Sequence, residues 1–388
     1  MEENNSLIRY IIGASRIKFE VLDQLYAGIN MNQYRMAVMY VDAHSIFYRL
    51  YKERNLANLY STNKSELIRD LVIGFLNVLG HYRRYMATRM GLDNDIYVMF
   101  NRESPRYNEK CYEGFNKKLY SRYNPDDPNF GFISSALEIS WQFILGLSPY
   151  FEGIYCIDNT GIDDFALMSK LGFADDIFYT IYSKNMYGTQ LIRPNVVQLF
   201  NRRDNSRLIT EGSCYKNGIL FDLKTKASEK LTPDMLPLLW TFSGCTDVSV
   251  ANTKYVQRIS TMIKAANNMA NDGILIRGMS IQSFLDSIGD YITTNNTTSG
   301  CSIKLAIKID RNQLIKRYRA LSPQLAAAAI TSDQWAKITA QLYDIYDENE
   351  LEHLNDLLAS GNVDPMLLEI TNLNMSIAPK YDYDIYCE

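Results

Sequence analysis

Ala37-Val38-Met39-Tyr40-Val41-Asp42 is the stretch on which the fold turns: an apolar, strand-like run that closes on a carboxylate. Ala43-His44-Ser45 follows at once. Shapes of the same kind recur downstream, in Ile96-Tyr97-Val98-Met99-Phe100-Asn101, in Ile154-Tyr155-Cys156-Ile157, in Ile177 to Tyr182 and in Val196 to Phe200. Helical patterns lie between them. From Ser65 to Tyr85 the residues Leu67, Leu71, Ile73, Phe75, Leu76 and Leu79 mark a buried side, and Arg83 and Arg84 place positive charge where a helix carboxyl end favours it. Ser134 to Leu147 and Asp163 to Leu171 are two further helices. Strands that alternate with helices predict an α/β fold with a largely parallel sheet flanked by helices.

Outward from this core the chain changes character twice. Residues 1–36 form a helical leader, whose Leu7, Ile11, Ile12, Ile17, Phe19, Leu22 and Leu25 give a rough apolar face over residues 6–30. The core then occupies 37–250, and 251–388 is a mainly helical C-terminal region with an acidic tail. Within that region Ile303, Leu305, Ile307 and Ile309 alternate as in a strand, and the Ala-rich Leu325 to Ile330 segment favours helix. From Gln341 onward Lys380 is the only Lys or Arg. The chain closes on Tyr381-Asp382-Tyr383-Asp384-Ile385-Tyr386-Cys387-Glu388, whose alternation suits an added strand against another protein or another copy of this chain, a frayed end being the commoner fate of such a segment.

Composition excludes more than it assigns. A chain of 388 residues, 47% hydrophobic and 22% charged, has the make-up of a globular protein with a sizeable core. A net charge of −4 gives no global attraction to nucleic acid, so any such contact needs a local basic patch. Six cysteines without C-x-x-C pairing and three dispersed histidines argue against structural zinc and for thiols as small core residues in a reduced compartment. The acidic start Met1-Glu2-Glu3 is unlike a secretory leader, and the longest apolar run, Leu71 to Leu79, is interrupted by Gly74 and Asn77. The expectation is a cytoplasmic protein with no membrane contact. No Walker-type phosphate loop and no nucleophile elbow is present.

In order and kind, the segments ending at Asp42 and Asn101, the turn Thr160-Gly161-Ile162-Asp163-Asp164, the turn Ser183-Lys184-Asn185-Met186-Tyr187-Gly188-Thr189-Gln190 and the turn Ser243-Gly244-Cys245-Thr246-Asp247 resemble the 5′-nuclease family. These are the flap endonucleases and 5′-3′ exonucleases, which are PIN-like. The resemblance spans roughly residues 37–250. The family carries an aspartate at the end of each of several strands, then E-A-D-D, S-G-D-x-D-x-x-Q and G-D/C-x-x-D turns. Here Asn101, Gly161, Asn185, Tyr187 and Cys245 stand where acids are expected. Asp42, Asp163, Asp164 and Asp247 are the metal-ligating positions that remain, Asp247 with one residue of the last motif missing. The Gly-rich turn of the family's helix–three-turn–helix, its duplex clamp, is also absent from Val248 to Lys254.

What the resemblance implies is therefore a degenerate site. Two-metal cleavage needs clustered carboxylates, whose mutual repulsion is tolerable only with the ions bound. Loss of the metals permits loss of the acids. The leading expectation is a pseudoenzyme without a cofactor, kept as a nucleic-acid-binding or structural subunit, in a phage particle or host cytoplasm if the chain is phage-encoded. The rival is an active Mg²⁺-dependent nuclease built on Asp42, Asp158, Asp163, Asp164 and Asp247. A basic, tyrosine-rich stretch falls where the family has its helical arch, with Arg102, Arg106, Lys110, Lys117, Lys118 and Arg122 as the DNA- or RNA-contacting cations. A solvated amphipathic helix explains that stretch equally well. For Asp163 and Asp164, capping a helix is on sequence alone the commoner role.

Overall fold

The protein is described by a computed structural model, which describes residues 17–48, 50, 64–101, 130–148, 151, 153–200, 206–212, 233, 236–243, 283, 315, 318, 319 and 321–342. In chain order the elements are α1 (Phe19–Tyr26), β1 (Met36–Asp42), α2 (Ala43–Tyr48), α3 (Lys64–Arg89), β2 (Asn94–Phe100), α4 (Phe130–Leu147) and β3 (Ile154–Asp158). They continue with α5 (Asp164–Leu171), β4 (Ile177–Tyr182), β5 (Val196–Phe200), β6 (Arg207–Ile209), α6 (Leu236–Ser243), α7 (Pro323–Ala328) and α8 (Ser332–Leu342).

Among the described residues six strands form a sheet in the order β3-β2-β1-β4-β5-β6. β1 to β5 pair in parallel, and β6 returns antiparallel on β5. The chain builds outward from β1 to β2 and β3, then crosses back to lay β4 and β5 on the other side. A crevice opens at such a reversal, between the carboxyl ends of β1 and β4, and open α/β sheets bind their ligands there.

The sheet is covered on both faces, which is why its strands are apolar throughout. Ala37, Met39 and Val41 of β1 join Ile96, Val98 and Phe100 of β2 in a core beneath α1, α2, α3 and α4. Val38 and Tyr40 point the other way, into a second core with Ile157, Ile181, Phe165, Trp240, Leu321 and Ile338. The leader helix α1 belongs to the first core through the buried Leu22 and Tyr26, and Tyr26 shares a hydrogen bond with Thr180 Oγ1 at 3.1 Å.

Helix α3 runs past Arg83 and Arg84 to Arg89, one turn beyond the end that the two arginines suggest. Tyr85 and Met86 are still buried in that last stretch, so packing carries the helix on. Cys156 is a buried free thiol, and burial pushes its pKa up, as suits a small core residue. Among the described residues no helix is long and apolar enough to cross a membrane. The expected helices of 251–292 (apart from Ser283), the expected strand at 303–309 and the tail 381–388 lie outside the described residues.

Candidate functional site

Asp42 ends β1 at the mouth of the crevice and is 5% exposed. Its Oδ2 accepts hydrogen bonds from Ser45 Oγ and Ser183 Oγ, both at 2.9 Å. Its Oδ1 accepts the Ser45 backbone N–H at 3.3 Å. Ser45 Oγ in turn accepts the Lys184 N–H at 2.9 Å, and Ser183 Oγ accepts that of Asn185 at 3.0 Å. The gap between β1 and β4 is therefore bridged by two hydroxyls gathered on one carboxylate.

Asn101 follows β2 and turns its amide inward: Nδ2 donates to the Ile162 carbonyl at 2.7 Å. Asn159 donates to the same carbonyl at 2.9 Å and to Asp164 Oδ1 at 2.8 Å. Gly161 takes φ +85°, a left-handed conformation that suits glycine, so this position is part of the turn itself. Asp163 is the N-cap of α5 and accepts the Ala166 N–H at 2.9 Å. Asp164 is the first-turn acid of that helix and is buried. Asp158, at the end of β3, accepts the Thr160 N–H at 3.0 Å.

The turn after β4 is used in the same way. Asn185 is the N-cap of a 3₁₀ turn over Met186–Leu191, and its Oδ1 accepts the Tyr187 N–H at 2.9 Å. Gln198 of β5 donates from Nε2 to the carbonyls of Ser183 at 3.1 Å and Asn185 at 2.9 Å. Tyr187 is fully buried in the second core.

Asp42, Asn101, Gly161, Asp163, Asp164, Asn185 and Tyr187 thus all lie at the carboxyl ends of the parallel strands or in the segments that directly follow them. Cys245, Asp247 and the cations Arg102, Arg106, Lys110, Lys117, Lys118 and Arg122 lie outside the described residues. Sequence reasoning passed over Ser45, Asn159 and Gln198. Gln198 carried a signal, as an amide inside the apolar run Val196 to Phe200, and Asn159 stands two residues before the quoted Gly161. Ser45 stands three residues after Asp42, the spacing at which a carboxylate caps a helix start.

A two-metal centre needs several carboxylate oxygens turned to shared ions. Among the described residues no group of three or more His, Cys, Asp or Glu is placed to hold a metal ion. Asn101 and Asn185 carry no charge, and Asn185 turns its oxygen to the backbone. The described residues do not fit such a centre.

The fold is that of the 5′-nucleases. A crystal structure of the T5 D15 protein co-crystallised with metal ions superposes on 80% of this chain and 100% of its own, with a TM-score of 0.50 at 10% identity. A T5 5′-exonuclease with bound zinc covers 80% of this chain and 99% of its own at 12% identity and a TM-score of 0.49. A bacteriophage T5 D15 flap endonuclease in a pseudo-enzyme–product complex with DNA and metal ions covers 87% and 99% at 9% identity and a TM-score of 0.47. At these identities the likeness is one of fold alone. No family model and no curated protein matches the sequence.

Proposed function

We propose that this chain is a catalytically degenerate 5′-nuclease-like protein, retained to bind nucleic acid and not to cleave it. The observation that carries the reading is at the crevice between β1 and β4. Asp42, the acid best placed to begin a metal cluster, has both oxygens engaged by Ser45 and Ser183. Hydroxyl donors on a carboxylate satisfy it without a cation, and an ion would have to displace them while shedding its own water. The neutral Asn101 and Asn185 at the adjoining positions support the same reading, since they hold backbone groups and bring no charge.

The cations Arg102, Arg106, Lys110, Lys117, Lys118 and Arg122, interleaved with tyrosines, supply the nucleic-acid contact in this proposal. Lys and Arg neutralise phosphates and release counterions, while tyrosine rings stack on bases. Purified protein with Mg²⁺ or Mn²⁺ is expected to leave flap, nicked and single-stranded DNA intact. It is expected to bind single-stranded DNA with an affinity that falls steeply as salt rises, and Lys117→Ala with Lys118→Ala should flatten that slope. Cleavage that Asp42→Asn or Asp164→Asn abolishes would sink the proposal in favour of an active metal nuclease.

A further inference from the structure

Tyr187 stands at the second acid position of the turn after β4, and its side chain is the largest departure from that chemistry in the described site. It is 0% exposed. Its ring lies edge-on to Phe165 of α5 at 5.4 Å between centroids and stacks on Trp240 of α6 at 5.9 Å, with 16° between the planes. Phe165 belongs to the helix that Asp163 caps, and α6 leads directly into Gly244-Cys245. The ring therefore joins three motif segments that, with acids in place, would be joined through shared ions.

The turn is also pressed onto α5. A Cβ at Gly188 would come within 2.6 Å of Phe165 Cε1, so the backbone beside Tyr187 seats against that ring with no room for a side chain. Close packing of this kind leaves no space for a hydrated ion. A carboxylate in place of the phenol would lie against Phe165 and Trp240 in the second core, where charge is strongly disfavoured.

We infer that Tyr187 is an aromatic keystone: it holds the turn after β4 to α5 and α6 by ring packing in the place of a metal bridge, so that an acid restored there unfolds the site without recruiting an ion. The inference rests on the proposed reading of Tyr187 as a replaced acid and deepens it, by making the replacement a structural commitment that single substitutions do not reverse.

The test compares Tyr187→Phe, Tyr187→Leu and Tyr187→Asp in the full chain, by thermal melting and by Mn²⁺ binding followed in electron paramagnetic resonance. Tyr187→Phe keeps both ring contacts and sets the reference melting temperature for loss of the hydroxyl alone. Tyr187→Leu keeps apolar bulk without a ring and is expected to melt several degrees below Tyr187→Phe. Tyr187→Asp is expected to lose its cooperative transition, with no recovery in millimolar Mn²⁺ and no bound Mn²⁺. A Tyr187→Leu variant as stable as Tyr187→Phe overturns the keystone, and so does a folded Tyr187→Asp that Mn²⁺ stabilises. The proposed function is read separately, on wild-type protein: DNA cleavage there would defeat that reading while leaving the order of the three melting temperatures to judge the keystone.

Discussion

Asp95 lies near the start of β2, half-buried, and its pKa is raised above the ordinary carboxylate value. Burial is the largest cause, Arg83 opposes it, and Asp93 adds a smaller upward push. A raised pKa in the folded state means that the native protein holds this proton more tightly than the unfolded chain does. The contribution of Asp95 to stability is present below the unfolded carboxylate pKa and is lost as pH rises through the folded value. Asp95→Asn is therefore expected to raise the melting temperature at pH 7, with the gain vanishing once pH falls below the ordinary carboxylate range. Equal melting temperatures for the two chains at pH 7 would show that Arg83 compensates the charge. Asp42 gives the lesson in legibility at this scale. That it ends a strand was readable from the apolar run before it. That its oxygens are taken by Ser183, 141 positions away, depends on β4 lying beside β1.

Among the described residues β3 is an edge strand, and edges leave backbone groups in need of partners. At its carboxyl end the side chain of Gln341 in α8 supplies them. Its Oε1 accepts the Asp158 N–H at 2.7 Å, and its Nε2 donates to the Asp158 carbonyl at 3.2 Å. One amide thus does what a residue of a neighbouring strand would do, and it anchors α8 beside the site. Lys170 of α5 lies over the ring of Trp335 in α8 at 5.5 Å. Gln341→Leu keeps the bulk and removes both bonds. It is expected to cost about 1–2 kcal/mol in urea denaturation, from two hydrogen bonds of ordinary net worth, and to speed amide exchange at Asp158. Unchanged exchange there would mean that α8 covers the edge by packing alone. Nothing in the residues around Gln341 announced this role, because a glutamine near the end of an amphipathic helix reads as a solvent-facing position.

Among the described residues two large cores, one on each face of the sheet, hold the fold together, and the second draws on residues 300 positions apart. Val38 of β1 and Ile338 of α8 share it, and Ile338 is fully buried. Ile338→Ala is expected to destabilise the whole chain by about 2–4 kcal/mol, the usual range for emptying a buried aliphatic site. The loss should show in a single transition, with tryptophan fluorescence and far-ultraviolet circular dichroism moving together. An early, separate transition of the C-terminal helices would show that they are only loosely appended to the sheet.

The sequence alone determined the kind and order of the main elements. Uninterrupted apolar runs mark strands buried on both faces, as in β1 and β4, and the 3.6-residue spacing of Leu67, Leu71 and Leu79 marks α3. It also determined that Asn101, Gly161, Asn185 and Tyr187 bring no carboxylate to the turns that follow β2, β3 and β4. Only the tertiary structure decided what those residues do. Whether Tyr187 faces water or packs on Trp240, and whether Asp42 meets a neighbouring hydroxyl or lies open, depends on which strands are neighbours and on their register. A shift of one residue turns every side chain of a strand to the opposite face. The partners concerned are brought together by sheet order and helix docking, and local pattern carries no record of groups that meet across such distances along the chain.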